Sequence, residues 1–211
     1  MFDEWKAKRA RKEVEFIEKA QHVKSEYIKS IMGKQHDMVG HSPIPFKMGG
    51  ALDEHYYPNY CDGTAIVTKE LTDHRFDSPK NDVYDAYELV MITRNKIHSI
   101  TGKFALEYDD GPISRILNTI GKYSAMAKLN PFETLEYNDG CLIILPFSEP
   151  LCNLETYYKK FGLMLLIEIH RDEMEYAMQS KSTAKDLIEK LKQSGVYPFT
   201  GIKRPSVLAA S

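Results

Sequence analysis

The sequence predicts an α+β fold, with helices packed on a sheet of mainly antiparallel strands. Two observations carry this. Apolar residues recur at three-and-four spacing near both ends and once in the middle, and short runs of β-branched and aromatic residues fall between those helical stretches. Glycine, proline and Asp-Gly pairs separate the runs, as turns require.

From Trp5 to Met32, the residues Ala10, Val14, Ile17, Ala20, Val23, Tyr27 or Ile28, and Ile31 trace one apolar stripe of a long helix, and Gly33 supplies a stop. "KQHDMVGHSPIPFKMGGA" has no period and reads as a loop. "EHYYPNY" and "GTAIVTKEL" then read as strands flanking "CDG", and "YDAYELVMITR" is the strongest strand in the chain. The polar stretch "TDHRFDSPKND" between them reads as an exposed loop. A second helix is expected from Pro112 to Leu129, with Ile113, Ile116, Leu117, Ile120 and Tyr123 or Ser124 on one face. "TLEYN" and "CLIILPF" flank Asp139-Gly140 as a hairpin, and "KFGLMLLIEI" is apolar on both faces and so belongs inside the sheet. Two short closing helices, or one kinked helix, follow: "RDEMEYAMQ" with Asp172 as its cap and "STAKDLIEKLKQSG", which opens on Thr183-x-x-Asp186 and stops at Gly195.

Composition narrows the function classes. With 28 basic against 30 acidic residues there is no net field to hold nucleic acid. The local run "KAKRARK", Lys6 to Lys12, opens the amphipathic stretch and reads as a solvated helix face. No secretory leader and no segment of membrane-spanning length is seen, which predicts no membrane partner and a cytoplasmic location. Cys61, Cys141 and Cys152 are too few and too far apart for a disulfide framework and fit reduced thiols.

Chemistry is sparse. Cys61-Asp62-Gly63 and Asn138-Asp139-Gly140 sit where strands reverse, and glycine is expected to supply the positive φ. Without a base placed beside it, Cys61 reads as a thiol at a strand end. His36, Asp37 and His41, and Asp53, His55, Asp73, His74 and Asp77, lie on loops or strand ends without metal-ligand spacing, so neither metal nor cofactor is expected. Adjacent carboxylates such as Asp109-Asp110 and Asp172-Glu173 do not span a cleft. Phosphate-loop, dinucleotide and nucleophile-elbow motifs are absent. The tyrosines stand out: Tyr56, Tyr57 and Tyr60 lie within five positions, and they read either as core packing or as anchors on a partner surface.

Taken in order, "GGALDEHYYPNYCDGTAIVTKELTD", "YDAYELVMITR", "LPFSEP" and "FGLMLLIEIHRDEMEYAMQSKSTAKDLIEKLKQSG" resemble the bacterial branch of the suppressor-of-fused domain family. Asp53, Tyr57, Gly63, Thr64, Thr68 and Leu71, then Tyr87, Glu88 and Leu89, and then the segment from Asp172 to Gly195 carry the likeness, which spans roughly residues 48 to 205. It implies a mixed, mostly antiparallel sheet packed by a long N-terminal helix, a middle helix and C-terminal helices, divided as 1–47, 48–205 and a 206–211 tail. It also implies a non-catalytic protein-binding domain, of the kind that neutralises a toxin as an immunity protein. The expected partner surface takes in Tyr56, Tyr57, Tyr60, Asp73, His74 and Phe76, with strand addition at an open sheet edge as one means of capture. On this reading Tyr57→Ala weakens a complex and leaves the fold intact. The competing expectation is a small metal- or thiol-dependent hydrolase built on Asp53, His55, Cys61 or His74.

Overall fold

A computed structural model describes residues 2–73, 78–100, 103–106, 111–138, 140–152 and 160–209. Helix α1 (Phe2–Met32) ends at Gly33, whose φ of 85° lets its N–H reach the Lys29 carbonyl at 2.8 Å. The loop that follows is not wholly irregular. It contains a two-residue strand, β1 (Val39–Gly40), and one turn of 3₁₀ helix at Phe46–Met48, both too short to leave a periodic signal. Strands β2 (Glu54–Tyr60), β3 (Gly63–Thr68) and β4 (Ala86–Thr93) come next, then a hairpin of β5 (Ile97–Ile100) and β6 (Lys103–Leu106). Helix α2 (Gly111–Ser124), strands β7 (Thr134–Tyr137), β8 (Gly140–Pro146) and β9 (Phe161–Ile169), and helices α3 (Arg171–Met178) and α4 (Lys181–Gln193) complete the chain.

Seven strands form one sheet in the order β1-β2-β3-β4-β9-β8-β7, with β5 and β6 apart as a two-stranded ribbon. The β4–β9 pair is parallel and every other pair is antiparallel, so the sheet is mixed and mostly antiparallel. Alternate residues serve two cores. On one face, Ala86, Val90 and Ile92 of β4 meet Ile28 and Met32 of α1 and Leu187 and Leu191 of α4. On the other, Tyr87, Leu89 and Met91 pack with Ile113, Ile116, Leu117 and Ile120 of α2. Because helices cover both faces, the inner strands are apolar without alternation.

The details depart from the sequence reading in instructive ways. Helix α2 stops at Ser124, five residues early, and the face it buries includes Ser124 while Tyr123 stays exposed. The cap of α3 is His170, not Asp172: the His170 N–H donates to Glu173 Oε2 at 2.8 Å, and Asp172 lies in the first turn. Ser180 caps α4, exchanging bonds with Thr183, so Thr183 is the third helical residue and not the start. In the β2–β3 turn it is Cys61 (φ 49°) and Asp62 (φ 62°) that take the left-handed conformation. Gly63 is a strand residue needed for closeness, since a Cβ there would collide with the Thr93 carbonyl of the neighbouring strand.

Candidate partner-binding groove

The two ends of the sheet differ. At the β2 end, Tyr57 is fully buried in the α1 core and Tyr56 is 4% exposed in the α2 core. Adjacent strand residues point to opposite faces, and both faces here are covered by helices. Neither ring is available to a partner in this conformation, which corrects the expectation that Tyr56 and Tyr57 form a partner surface. Tyr60 is half-buried and packs edge-on against Phe147, with ring centroids 6.0 Å apart. His74 and Phe76 lie outside the described residues.

Asp73 belongs to a buried ionic network. Lys24 of α1 donates to Asp73 Oδ1 at 2.8 Å, to Thr72 Oγ1 at 2.9 Å and to the Lys69 carbonyl at 2.6 Å, and it lies 3.3 Å from Glu88 Oε1. Glu88 on β4 has no exposure and accepts from the Thr68 hydroxyl and from the Leu71 and Thr72 backbone N–H groups. Burial alone would lower the Lys24 pKa, but the Glu88 and Asp73 carboxylates outweigh it, so the ammonium's pKa rises. This cluster pins α1 to the sheet and fixes the chain through Asp73.

Of the residues of the hydrolase alternative, His74 lies outside the described residues, Asp53 lies near His55, and Cys61 stands apart from them on the β2–β3 turn. Asp53 is paired with His41, Nδ1 to Oδ1 2.7 Å. His55 is half-buried with its Nδ1 unpartnered, and burial, reinforced by nearby Lys69, depresses its pKa to about 4. Cys61 is exposed on its turn. Among the described residues, no three His, Cys, Asp or Glu side chains group as metal ligands.

The β7 end is built differently. The antiparallel pairs Thr134↔Ile143, Leu135↔Leu142, Glu136↔Cys141 and Tyr137↔Gly140 alternate between non-bonded and hydrogen-bonded, the phase being set by the Ile144 N–H, which donates to the Glu133 carbonyl at 3.0 Å. Leu135 and Tyr137 bond inward to β8, so the backbone N–H and C=O groups of Thr134 and Glu136 point off the sheet. Among the described residues no backbone group meets them there, and β7 is the last strand. Beside this edge runs a groove of about 610 Å³, lined among others by Tyr123, Phe132, Leu135, Met178 and Lys181. Met178 is 67% exposed and Tyr123 42%. Phe132 holds a φ of 73°, a region that non-glycine residues seldom occupy, and its ring lies 6.0 Å from the Lys181 ammonium and 5.7 Å from that of Lys185. An unpaired strand edge beside a groove of mixed lining, with apolar Leu135 and Met178 and charged Asp82, Lys128, Glu133 and Lys181, is what an extended polypeptide needs: backbone partners, a pocket for alternate side chains, and charges to fix its register.

Comparison with solved structures decides the architecture. The chain in the Sufu-Fu complex crystal structure superimposes with a TM-score of 0.66 over 90% of this chain and 93% of that one, at 12% identity. The chain has the Suppressor of Fused fold. Drosophila Suppressor of Fused gives a TM-score of 0.58 at 14% identity over 80% of this chain, which spans 46% of that one. No family model matches the sequence, and no curated protein does.

Within the Suppressor of Fused fold, the groove draws on residues far apart in the chain: Asp82, Tyr123, the stretch from Lys128 to Leu135, and the α3–α4 junction. Sequence reasoning missed it for that reason. Met174, Ala177 and Met178 of α3 stand at i, i+3 and i+4 and read as one apolar stripe, so the exposure of Met178 left no sign in the sequence.

Proposed function

We propose that this chain is a non-catalytic protein-binding domain that sequesters a protein partner by adding a partner strand to the β7 edge, with side chains of that strand seated in the adjoining groove. The observation that carries the reading is the outward pair of backbone groups at Thr134 and Glu136 alongside exposed Met178 and Tyr123. Main-chain bonds along such an edge supply affinity, and the groove supplies selectivity. That one structure of this fold is of a Sufu-Fu complex agrees with a binding role. The partner we favour is a toxin domain, neutralised in the cytoplasm in the manner of an immunity protein, with no cofactor required.

The test is capture of native partners by the full chain from its source cells, with products of neighbouring genes co-expressed, beside a Thr134→Pro variant. Proline removes the outward N–H without touching a bond to β8, as an edge position allows. A stoichiometric protein recovered by the parent and lost by the folded variant supports the reading. Equal recovery by both chains moves the site elsewhere, and turnover of a substrate by the purified chain would replace binding with catalysis.

A further inference from the structure

The β7 edge calls for cover even in a chain that holds no partner. An open strand edge pairs with whatever strand it meets, and natural sheets blunt it with proline, lysine, a bulge or a covering element. β7 reads Thr-Leu-Glu-Tyr, with neither proline nor lysine, and its register with β8 runs without a shift. Apolar side chains stand exposed around it. Tyr123 and Met178 line the groove, and Met126, 81% exposed, lies on the turn whose N–H bonds the Tyr123 carbonyl at 2.9 Å. The strand always at hand to cover this edge is β7 of a second copy.

The residues decide how two copies would pair. Edge strands related by a two-fold axis across the sheet run antiparallel, and the backbone groups that leave each sheet must face one another. In β7 those groups belong to Thr134 and Glu136. Setting Glu136 opposite Glu136 puts like charges together, which is destabilising, and setting Thr134 opposite Thr134 leaves Glu136 facing Phe132, outside the strand. Setting Thr134 opposite Glu136 satisfies the outward groups of both chains at once and brings Leu135 against Leu135 on the axis. Charge agrees with this register. Leu135 and Tyr137 pack on the α2 side and Glu136 pairs with Arg171 of α3, so Thr134 and Glu136 face the α3–α4 side. Glu136 of the other copy then comes to the side of the groove lined by Lys181, whose ammonium lies over the Phe132 ring and has no ion pair among the described residues. We propose that this chain self-associates as a two-fold dimer through antiparallel β7–β7 pairing in the Thr134–Glu136 register, so that a second copy covers the edge until a partner displaces it. The proposal rests on the reading of β7 as the partner site and adds its regulation, since partner and second copy compete for one edge.

Cross-linking and sedimentation equilibrium of the full chain test this. Cys61 and Cys152 are exposed and Cys141 is buried, so Cys61→Ser with Cys152→Ser supplies a background without accessible thiols. In it, Leu135→Cys should give a disulfide-linked dimer with oxidised glutathione, because non-hydrogen-bonded antiparallel neighbours have Cα atoms about 4.5 Å apart, within disulfide reach. Thr134→Cys alone should not cross-link, its counterpart being a diagonal neighbour about 7–8 Å away, whereas Thr134→Cys mixed with Glu136→Cys should. The parent should sediment as a dimer, and Thr134→Pro should raise the dissociation constant about tenfold or more with the thermal melt kept. Amide exchange at Thr134 and Glu136 should slow as the parent is concentrated, the edge being open in the dilute chain. A parent monomeric at all concentrations overturns the proposal, as does a dimer indifferent to Thr134→Pro or a cross-link at Thr134→Cys in place of Leu135→Cys. A monomer whose partner capture is lost in Thr134→Pro overturns self-pairing and leaves the partner reading standing. A dimer lost in Thr134→Pro beside unchanged partner recovery supports self-pairing and removes the partner from β7.

Discussion

The two edges of the main sheet are treated in opposite ways. Beyond β2 the edge is closed: β1 pairs with Glu54 and His55, the His36 N–H bonds the Tyr56 carbonyl at 2.8 Å, and Pro58 has no N–H to offer. Around it the polar groups are consumed by the Lys24–Glu88 network and the aromatic rings by the cores. Beyond β7 none of these devices appears among the described residues. Aromatic density therefore marks where this protein packs, and unsatisfied backbone marks the edge we propose for a partner.

The closed end should be broken most severely by substitution. Lys24→Ala leaves the Glu88 carboxylate buried without its cation and is expected to cost about 3–5 kcal/mol of unfolding free energy, read from urea titration. A change near zero would show that water replaces the ammonium. Tyr57→Ala should cost about 3–5 kcal/mol through the cavity left in the α1 core. Retention of full stability would return that ring to the surface.

At the open end, stability and binding should separate. Thr134→Pro is expected to weaken partner binding about 10- to 100-fold, the loss of an edge hydrogen bond and its register, while the urea midpoint hardly moves. Met178→Ala should weaken binding about 3- to 10-fold with stability unchanged, measured by calorimetry, because the side chain has little to lose on the free surface.

The smallest effect concerns pH. The folded His55 pKa of about 4 lies below the ordinary value of 6.5, so the unfolded chain binds the extra proton. Its contribution is full above pH 6.5 and lost as pH falls toward 4. His55→Phe should flatten the stability profile over that window. A profile with the parent's slope would assign the acid sensitivity to carboxylates such as Glu173, whose pKa is lowered because the Arg204 ion pair and the Val207 and His170 N–H groups outweigh its burial.

Much of the fold was legible because each inner strand is buried on both faces and each helix on one, and burial writes itself as a run or a stripe. Leu142 to Leu145 and Leu163 to Ile167 are examples. The β5–β6 ribbon and β1 were not legible, since strands of two to four residues are too short to show a pattern. The cap of α3 was misplaced because Glu173 reaches back to the His170 backbone, and Glu173 in turn is held by Arg204, 31 residues away. The groove was invisible for a similar reason: its walls meet only when the sheet is assembled. Tyr56 and Tyr57 show the converse, residues whose type suits a binding surface but whose alternation within a doubly covered sheet places them inside.

The central claim is that partners enter at β7, and amide hydrogen exchange on the full chain with its captured partner tests it most directly. The account predicts that the Thr134 and Glu136 amides, open in the free protein, become protected in the complex while Glu54 to Tyr60 keep their rates. Protection confined to Glu54–Tyr60, with Thr134 and Glu136 exchanging as before, would contradict it.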